Sequence, residues 1–398
     1  VIYRLQEKKQ IVAHLQDLQI DAHLGQVARF VGPNTIAFPD NSILQAERFI
    51  IAAGGHARKL DFPGAEYALT HSDVWKLERV PKSLAIIGSG ATGCQLASIF
   101  AAFGAHVTLF ELAPRILPTE DTKVSEVMLS AFELHGIDIL TGIKGVARID
   151  KQKDSLTLHY TDAGQHSAQL DVEAVLLSVG WPGNADALHP DAAGVQTKGG
   201  YIVVNDLLQT TAPHIYAAGD ITGRMMLVQT AIHQARSAVE NAFGVERIAS
   251  SNRIVPHGGF TDPEYGAVGL TEEECTSSGK HYVTATVAYA DMDRAVIDGL
   301  AAGFCKLIVD RETRTILGAH VVGEQAVEVV QIAAATMACG GTVEQLATLD
   351  FAYPTFAAIL GGAARQISQE LRLMPIAQEW YSLTRRRIGE WERSENED

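Results

Sequence analysis

The 398-residue chain is poor in cysteine, in basic charge and in long apolar runs, and each shortage removes a class of function. Four cysteines occur, Cys94, Cys275, Cys305 and Cys339, and none lies near another in sequence. That spacing matches neither a zinc site nor a redox pair separated by a few residues, so the thiols read as reduced packing groups of a cytoplasmic protein. Lys and Arg number 32 against 47 Asp and Glu, a formal net charge of −15. Such a surface repels phosphate backbones, and the basic run Arg385-Arg386-Arg387 sits in a charged tail; nucleic acid is set aside as a partner. No apolar run reaches the roughly 18 residues that a membrane span needs, so no membrane partner is expected. His233, His257 and His320 lie far apart without ligand spacing, so no metal is expected and they read as surface or helix histidines. The first residues, Val1 to Lys9, show no secretion signal and no starting Met. They open mid-pattern, and the chain is expected to be a fragment.

What is present is 47% hydrophobic and 20% charged, and long enough for two or three domains. Residues 1–24 look helical and then extended. Strand-like segments follow at Gln26 to Phe30, Thr35 to Phe38 and Arg48 to Ala52, the last running into the turn Ala53-Gly54-Gly55. From Leu84 the texture becomes alternating strand and helix. Strands are expected at Leu84 to Ile87, His106 to Phe110 and Val172 to Val179, the last ending at Gly180. Helices are expected at about 91–103 and 122–135, each stopped by a glycine, and a hairpin at 149–166. A further strand, Ile215 to Ala218, delivers Gly219-Asp220 to a helix ending near Phe243. From Ile254, alternating strands precede a helix over about 325–338, the texture of an α+β domain.

The clearest motif is Gly88-Ser89-Gly90-Ala91-Thr92-Gly93, preceded by a strand and followed by a helix. In such a turn Gly88 permits the tight bend, Gly90 lets backbone approach a pyrophosphate, and Gly93 lets helix and strand pack closely. The helix N-terminus offers free N–H groups and a partial positive charge to the phosphates. Glu111 ends the next strand, 23 residues after Gly88. A carboxylate there accepts from adenosine ribose hydroxyls and repels a 2′-phosphate, so NAD is expected over NADP. Arg115, four residues on, is the one group nearby that would favour a 2′-phosphate. Cys94, on the new helix, reads as a packing residue, although a helix start can acidify a thiol.

The segment Thr211 to Asp220 has two readings from its residues alone. Asp220 either accepts from a sugar-like hydroxyl or caps a helix. Here the chain resembles the pyridine nucleotide-disulfide oxidoreductases, over about residues 10–370. The segment resembles their second flavin motif, which implies that the Gly219-Asp220 pair binds FAD, Asp220 holding its ribityl chain. Ala52-Ala53-Gly54-Gly55 is similar to the family's Ala-Thr-Gly turn, Ala28-Arg29-Phe30 to the strand bordering the FAD adenosine, and Val179-Gly180 to the end of its nicotinamide domain. Phe260 to Glu264 and Gly269 to Glu272 resemble the opening of its dimerisation domain. The implied fold is α/β: a Rossmann-type NAD domain (78–184) inserted in a partial, discontinuous FAD domain (1–77 and 185–249), followed by an α+β dimerisation domain (250–370) and a polar helical tail (371–398).

Two departures qualify the resemblance. The family's first Gly-rich motif and its two redox cysteines would lie before Val1. And where its disulfide reductases carry His-Pro-Thr and an orienting Glu, this chain has Tyr353-Pro354-Thr355, with Ala358 at the Glu position. A phenol of reference pKa near 10 is a poor base toward thiols at neutral pH, which casts doubt on dithiol chemistry. Tyr353 is the candidate catalytic residue, with packing beside the proline as the plainer alternative. The resemblance implies FAD and NAD as cofactors, a homodimer, and hydride transfer between nicotinamide and flavin followed by electron transfer to an unidentified acceptor, as in the transhydrogenase and diaphorase activities. Two alternatives stand beside it. One is a dihydrolipoamide dehydrogenase or mercuric reductase type of enzyme with its cysteines on a missing N-terminus. The other is a non-catalytic NAD-binding protein.

Overall fold

A computed structural model describes residues 2–250 and 254–373; the part of the expected tail beyond residue 373 lies outside the described residues. The chain forms two compact units, one from residues 1–56 and 181–253, the other from 57–180 and 254–398.

In the discontinuous first unit, helix Ile2–Asp17 precedes a three-stranded antiparallel sheet of Arg29–Gly32, Thr35–Ala37 and Ile43–Gln45. Strand Phe49–Ile51 pairs in parallel with Ile215–Ala217, which comes from the far side of the insertion. All three residues of Ile215–Ala217 are buried, as expected of a strand covered on both faces. Ile51, Ile202, Ile215 and Ile221 form its core with Phe30. Helix Val228–Phe243 lays Ala238 and Ala242 against Tyr216 and Ala218.

The second unit holds a five-stranded, all-parallel sheet in the order Leu69–Thr70, Ala174–Leu177, Ser83–Ile87, His106–Phe110, Asp138–Leu140. Helices Ala91–Ala102 and Thr122–Leu134 carry the crossovers, their Cys94, Ala97, Phe100, Val124, Met128 and Phe132 buried with Leu84, Val107 and Leu109. The expected hairpin at 149–166 is a three-stranded antiparallel sheet, Gly145–Lys151, Leu156–Thr161 and Ser167–Val172. Its Ile149, Leu158 and Val172 pack with the other side-chain set of the parallel strands, Ala85, Ile87, Val175 and Leu177.

The boundary between units falls nearer to the Gly54 turn than the expected 77/78. Strand Leu69–Thr70 pairs with Leu176–Leu177, and Leu60, Phe62 and Ala68 pack on the Ile149 cluster, which draws residues 57–77 into the second unit. Conversely Gly183 bridges Gly55, and His56 N donates to Pro182 O at 3.0 Å, so 181–184 belongs with the first.

A third sheet in this unit is antiparallel, ordered His257–Gly259, Tyr265–Gly269, Ile316–Val322, Phe304–Asp310, Tyr282–Ala288. Helices Ala326–Ala338 and Ala358–Glu370 bury one of its faces. On its other side, His257, Ala267, His320 and Lys306 are successive cross-strand neighbours and share a face. The loop before helix Thr122–Leu134 meets that row. Lys306 Nζ donates to both Asp121 oxygens at 2.9 Å, and His257 Nε2 pairs with Glu120 at 3.2 Å. Asp121 also caps its own helix through Lys123 N and accepts from Glu272 N at 3.1 Å. The expectation of surface or helix histidines is corrected for His257, half-buried on strand His257–Gly259, and for His320. His320 lies on a strand, 1% exposed, its Nε2 donating to Leu270 O at 2.9 Å. A polar layer between two sheets needs a donor there, and a histidine supplies it.

Asp121 is fully buried, so it depends on its cation. Lys306→Met is predicted to cost about 3–5 kcal/mol by leaving that charge unpaired. Adding Asp121→Asn should recover part of the loss. Urea unfolding midpoints of the three proteins check it; a loss below about 1 kcal/mol for the single variant would contradict it.

Candidate dinucleotide and flavin sites

The parallel strands end where a ligand would bind, at their carboxyl ends. Gly88, just after strand Ser83–Ile87, has φ +100°, and a Cβ there would sit 2.2 Å from the Ser178 carbonyl oxygen. A Cβ on Gly93 would sit 1.9 Å from the Gly88 carbonyl oxygen. Both glycines are fixed by backbone packing. Gly90 differs: a Cβ there meets nothing within 4 Å, and the residue lines a cleft of about 580 Å³. The space beside Gly90 fits a pyrophosphate, and helix Ala91–Ala102 starts immediately after it with no side chain capping its first turn.

Glu111 lines the same cleft. Its Oε2 accepts from Ser89 N at 2.9 Å and Ser89 Oγ at 2.7 Å, and its Oε1 from Ala113 N at 2.8 Å. Three donors hold the carboxylate as an acceptor beside the turn. Arg115 is directed elsewhere, to Thr122 Oγ1, Glu273 Oε1 and the carbonyls of Pro118 and Glu120, and it does not line the cleft. The cations that do line it are Arg58 and Lys144. Gly180, φ +104°, lies just past Val179 and accepts from Arg58 N at 2.9 Å. Cys94 is a packing residue: it is fully buried, its Sγ donates to Ser89 O at 3.2 Å, and burial, with the Glu111 charge second, pushes its thiol far above the usual range.

In the first unit, the paired strands Phe49–Ile51 and Ile215–Ala217 run into Ala53-Gly54 and Gly219-Asp220. Gly54 has φ +66° and nothing within 4 Å of where a Cβ would stand. Asn184 buttresses this turn, its Nδ2 donating to Ala53 O at 2.8 Å and its N to Gly54 O at 3.0 Å. Gly219 adopts φ 79°, ψ −157°, which is reached essentially by glycine alone. Its N donates to Gln234 Oε1 at 2.7 Å. Asp220 opens the short helix Asp220–Thr222 rather than capping it, and its half-buried carboxylate has no hydrogen-bonding partner among the described residues. Open space at Gly54 and an unengaged carboxylate at Asp220 suit a hydroxylated ligand chain. Ala28 lies one residue before strand Arg29–Gly32, on the neighbouring antiparallel sheet.

Tyr353 stands on the loop before helix Ala358–Glu370, 78% exposed, with a cis bond to Pro354. Its hydroxyl donates to Asp293 Oδ2 at 2.9 Å. That bond, and then the Asp293 charge, hold the phenol above the ordinary tyrosine range. Among the described residues no group of three or more His, Cys, Asp or Glu could hold a metal ion, and no helix is long and apolar enough to cross a membrane.

The pattern described as "Pyridine nucleotide-disulphide oxidoreductase" matches residues 5–235, and that of the family's dimerisation domain matches 255–364. The chain belongs to the pyridine nucleotide-disulphide oxidoreductase family. It is an oxidoreductase of the α/β class whose family binds FAD and NAD(P). Similar proteins include a dihydrolipoyl dehydrogenase of Thermus scotoductus, 33% identical over 86% of this chain and 74% of that protein. A mercuric reductase of Bacillus cereus is 32% identical over 83% of this chain and 52% of that protein. Among solved structures, the HOCl-induced flavoprotein disulfide reductase RclA of Escherichia coli superposes with a TM-score of 0.81 at 28% identity, covering 91% of this chain and 85% of that one.

Four participants were not foreseen. Ser89 was visible as the hydroxyl residue inside the glycine turn. Arg58 and Lys144 enter the cleft from loops that carry no motif, and Asp293 gave no signal at all. The glycines yield a separable prediction. Gly93→Ala should lower the melting temperature, because the new methyl collides with backbone. Gly90→Val should leave it within a degree or two of the parent while weakening NADH binding at least about tenfold, or 1.4 kcal/mol. Calorimetric melts and NADH fluorescence titrations check both; equal melting losses would contradict the assignment.

Proposed function

We propose that this protein is a cytoplasmic, homodimeric flavoenzyme that takes hydride from NADH and passes electrons to an acceptor without thiol acid/base chemistry. The observation that carries the nicotinamide part is the open Gly90 position beside a carboxylate held by three donors. A bound nicotinamide supplies hydride and a bound flavin the oxidised ring that can take it. The chain's residues bind and orient. Gly90 and the first turn of helix Ala91–Ala102 would take the pyrophosphate, and Gly88 and Gly93 keep strand and helix close enough to present it. Glu111 would accept ribose hydroxyls, with the Ser89 hydroxyl, a free rotor, giving up its bond as one of them enters. The carboxylate disfavours a 2′-phosphate, and Arg115, tied to Glu273, does not offset it; NADH is therefore the better donor. Gly180 would line the nicotinamide end. Ala28, Ala53, Gly54, Gly219 and Asp220 would hold the FAD, Asp220 through a ribityl hydroxyl.

Tyr353 supports the acceptor part. Its phenol is less acidic than usual and its proton already engages Asp293, so it is a poor partner for a thiolate. A second reading is favoured by the relatives named dihydrolipoyl dehydrogenase and mercuric reductase, whose chemistry would need redox cysteines that residues 1–398 do not pair.

The purified protein is predicted to be yellow, absorbing near 450 nm, and to reduce ferricyanide or a thio-nicotinamide dinucleotide with kcat/KM at least about tenfold higher for NADH than for NADPH. Colourless protein would leave only nucleotide binding, and an NADPH preference would overturn the role given to Glu111. Reduction of lipoamide or mercuric ion at comparable rates would establish the second reading instead. Light scattering should give twice the chain mass; a monomer would remove the dimer from the account.

A further inference from the structure

The Tyr353 loop is held to the segment 289–298 at two points. The first is aromatic. Phe356 is buried, stacks on Tyr289 with centroids 5.7 Å apart, and carries the Arg294 guanidinium 5.5 Å from its ring centre. Arg294 is itself fixed by Asp298 at 2.6 Å. This contact buries apolar surface and suffices to dock the loop. The second point is the bond from the Tyr353 hydroxyl to Asp293, the first residue of helix Asp293–Ile297. It buries almost nothing, because the tyrosine is exposed. An exposed polar pair of this kind contributes little to stability. Its effect is on direction: a phenol has one proton, and here that proton has a fixed address.

We propose that Asp293 is a positioning residue for Tyr353, engaging the phenol's only proton so that the oxygen is left purely as a hydrogen-bond acceptor. This rests on the reading of Tyr353 as a site residue and deepens it by naming the group that positions its phenol. Among the described residues, Asp293 is the charged group that bears on the phenol.

The experiment is a pH titration of the full-length chain labelled with carbon-13 at the tyrosine ring carbon bearing oxygen, Tyr353 being assigned with Tyr353→Phe. In the parent protein Tyr353 is expected to ionise above the reference value near 10. Asp293→Asn should bring it back to about that value, and Asp293→Glu should keep it raised. With NADH and thio-NAD as the probe acceptor, Asp293→Asn should lower kcat several-fold at unchanged KM, and Asp293→Glu should restore most of it. An ordinary Tyr353 titration in the parent, or one indifferent to Asp293→Asn, overturns the proposal. The titration needs neither cofactor nor turnover. Full activity of Tyr353→Phe would thus defeat the site reading by itself, while an Asp293-dependent titration would still uphold the positioning.

Discussion

Backbone crowding at the end of strand Ser83–Ile87 governs much of this molecule. The Gly88 carbonyl lies where a Cβ on Gly93 would go, and the Ser178 carbonyl lies where one on Gly88 would go. Strand, turn and helix can approach this closely only if both residues lack side chains. The approach brings the Ser89 amide and hydroxyl onto Glu111 and seals Cys94 beneath the turn. Between the two packed glycines, Gly90 alone faces open space. Two glycines thus build the turn, and the third leaves open space beside it, where the proposed ligand would lie.

The same unit carries a second constraint of a different kind. Its parallel and antiparallel sheets share an apolar cluster in which Tyr265, Phe304 and Val322 join the helices of the nicotinamide domain. Beside it lies the polar row of His257, His320 and Lys306 under Glu120 and Asp121. Burial works against the charge on Lys306, and the carboxylates of Glu272 and Asp121 outweigh it, keeping its pKa above the ordinary lysine value. Burial also works against ionisation of Asp121, and Lys306, His320 and the Glu272 amide together outweigh it, holding its pKa below the ordinary carboxylate value. Such a layer tolerates one registration of the two sheets, since sliding them would strand charges in the interior.

The Gly-rich turn with its flanking strand and helix was legible in the sequence because its requirements are local. A strand, three glycines, a helix and a terminal acid lie within two dozen residues, and each leaves a residue-type signature. The α+β texture after residue 254 was legible for the same reason, through alternation. What escaped depends on distant contacts. The third strand of the 145–172 sheet looked like a hairpin because Ser167–Val172 is polar on its exposed side. The boundary near residue 56 was hidden because only the pairing of Leu69–Thr70 with Leu176–Leu177 places 57–77 with the nicotinamide sheet. Asp293 lies 60 positions from Tyr353 and joins it through loop geometry alone. His320 offered no cue to its burial, because a histidine in a strand reads the same whether its partner is water or a carbonyl.

Family membership explains why two nucleotide-type turns occur in one chain. On the function proposed above, the residues narrow the chemistry, toward NADH by Glu111 and away from thiol catalysis by Tyr353. The most direct test of the central claim, that the Gly90 opening and Glu111 form the nicotinamide dinucleotide site, is a crystal structure of the protein with NAD bound. The account predicts the pyrophosphate over Gly90 at the start of helix Ala91–Ala102, with an adenosine ribose hydroxyl on the Glu111 carboxylate in place of the Ser89 hydroxyl. A dinucleotide bound elsewhere, or a ribose turned toward Arg115 with Glu111 still closed on Ser89, would contradict it.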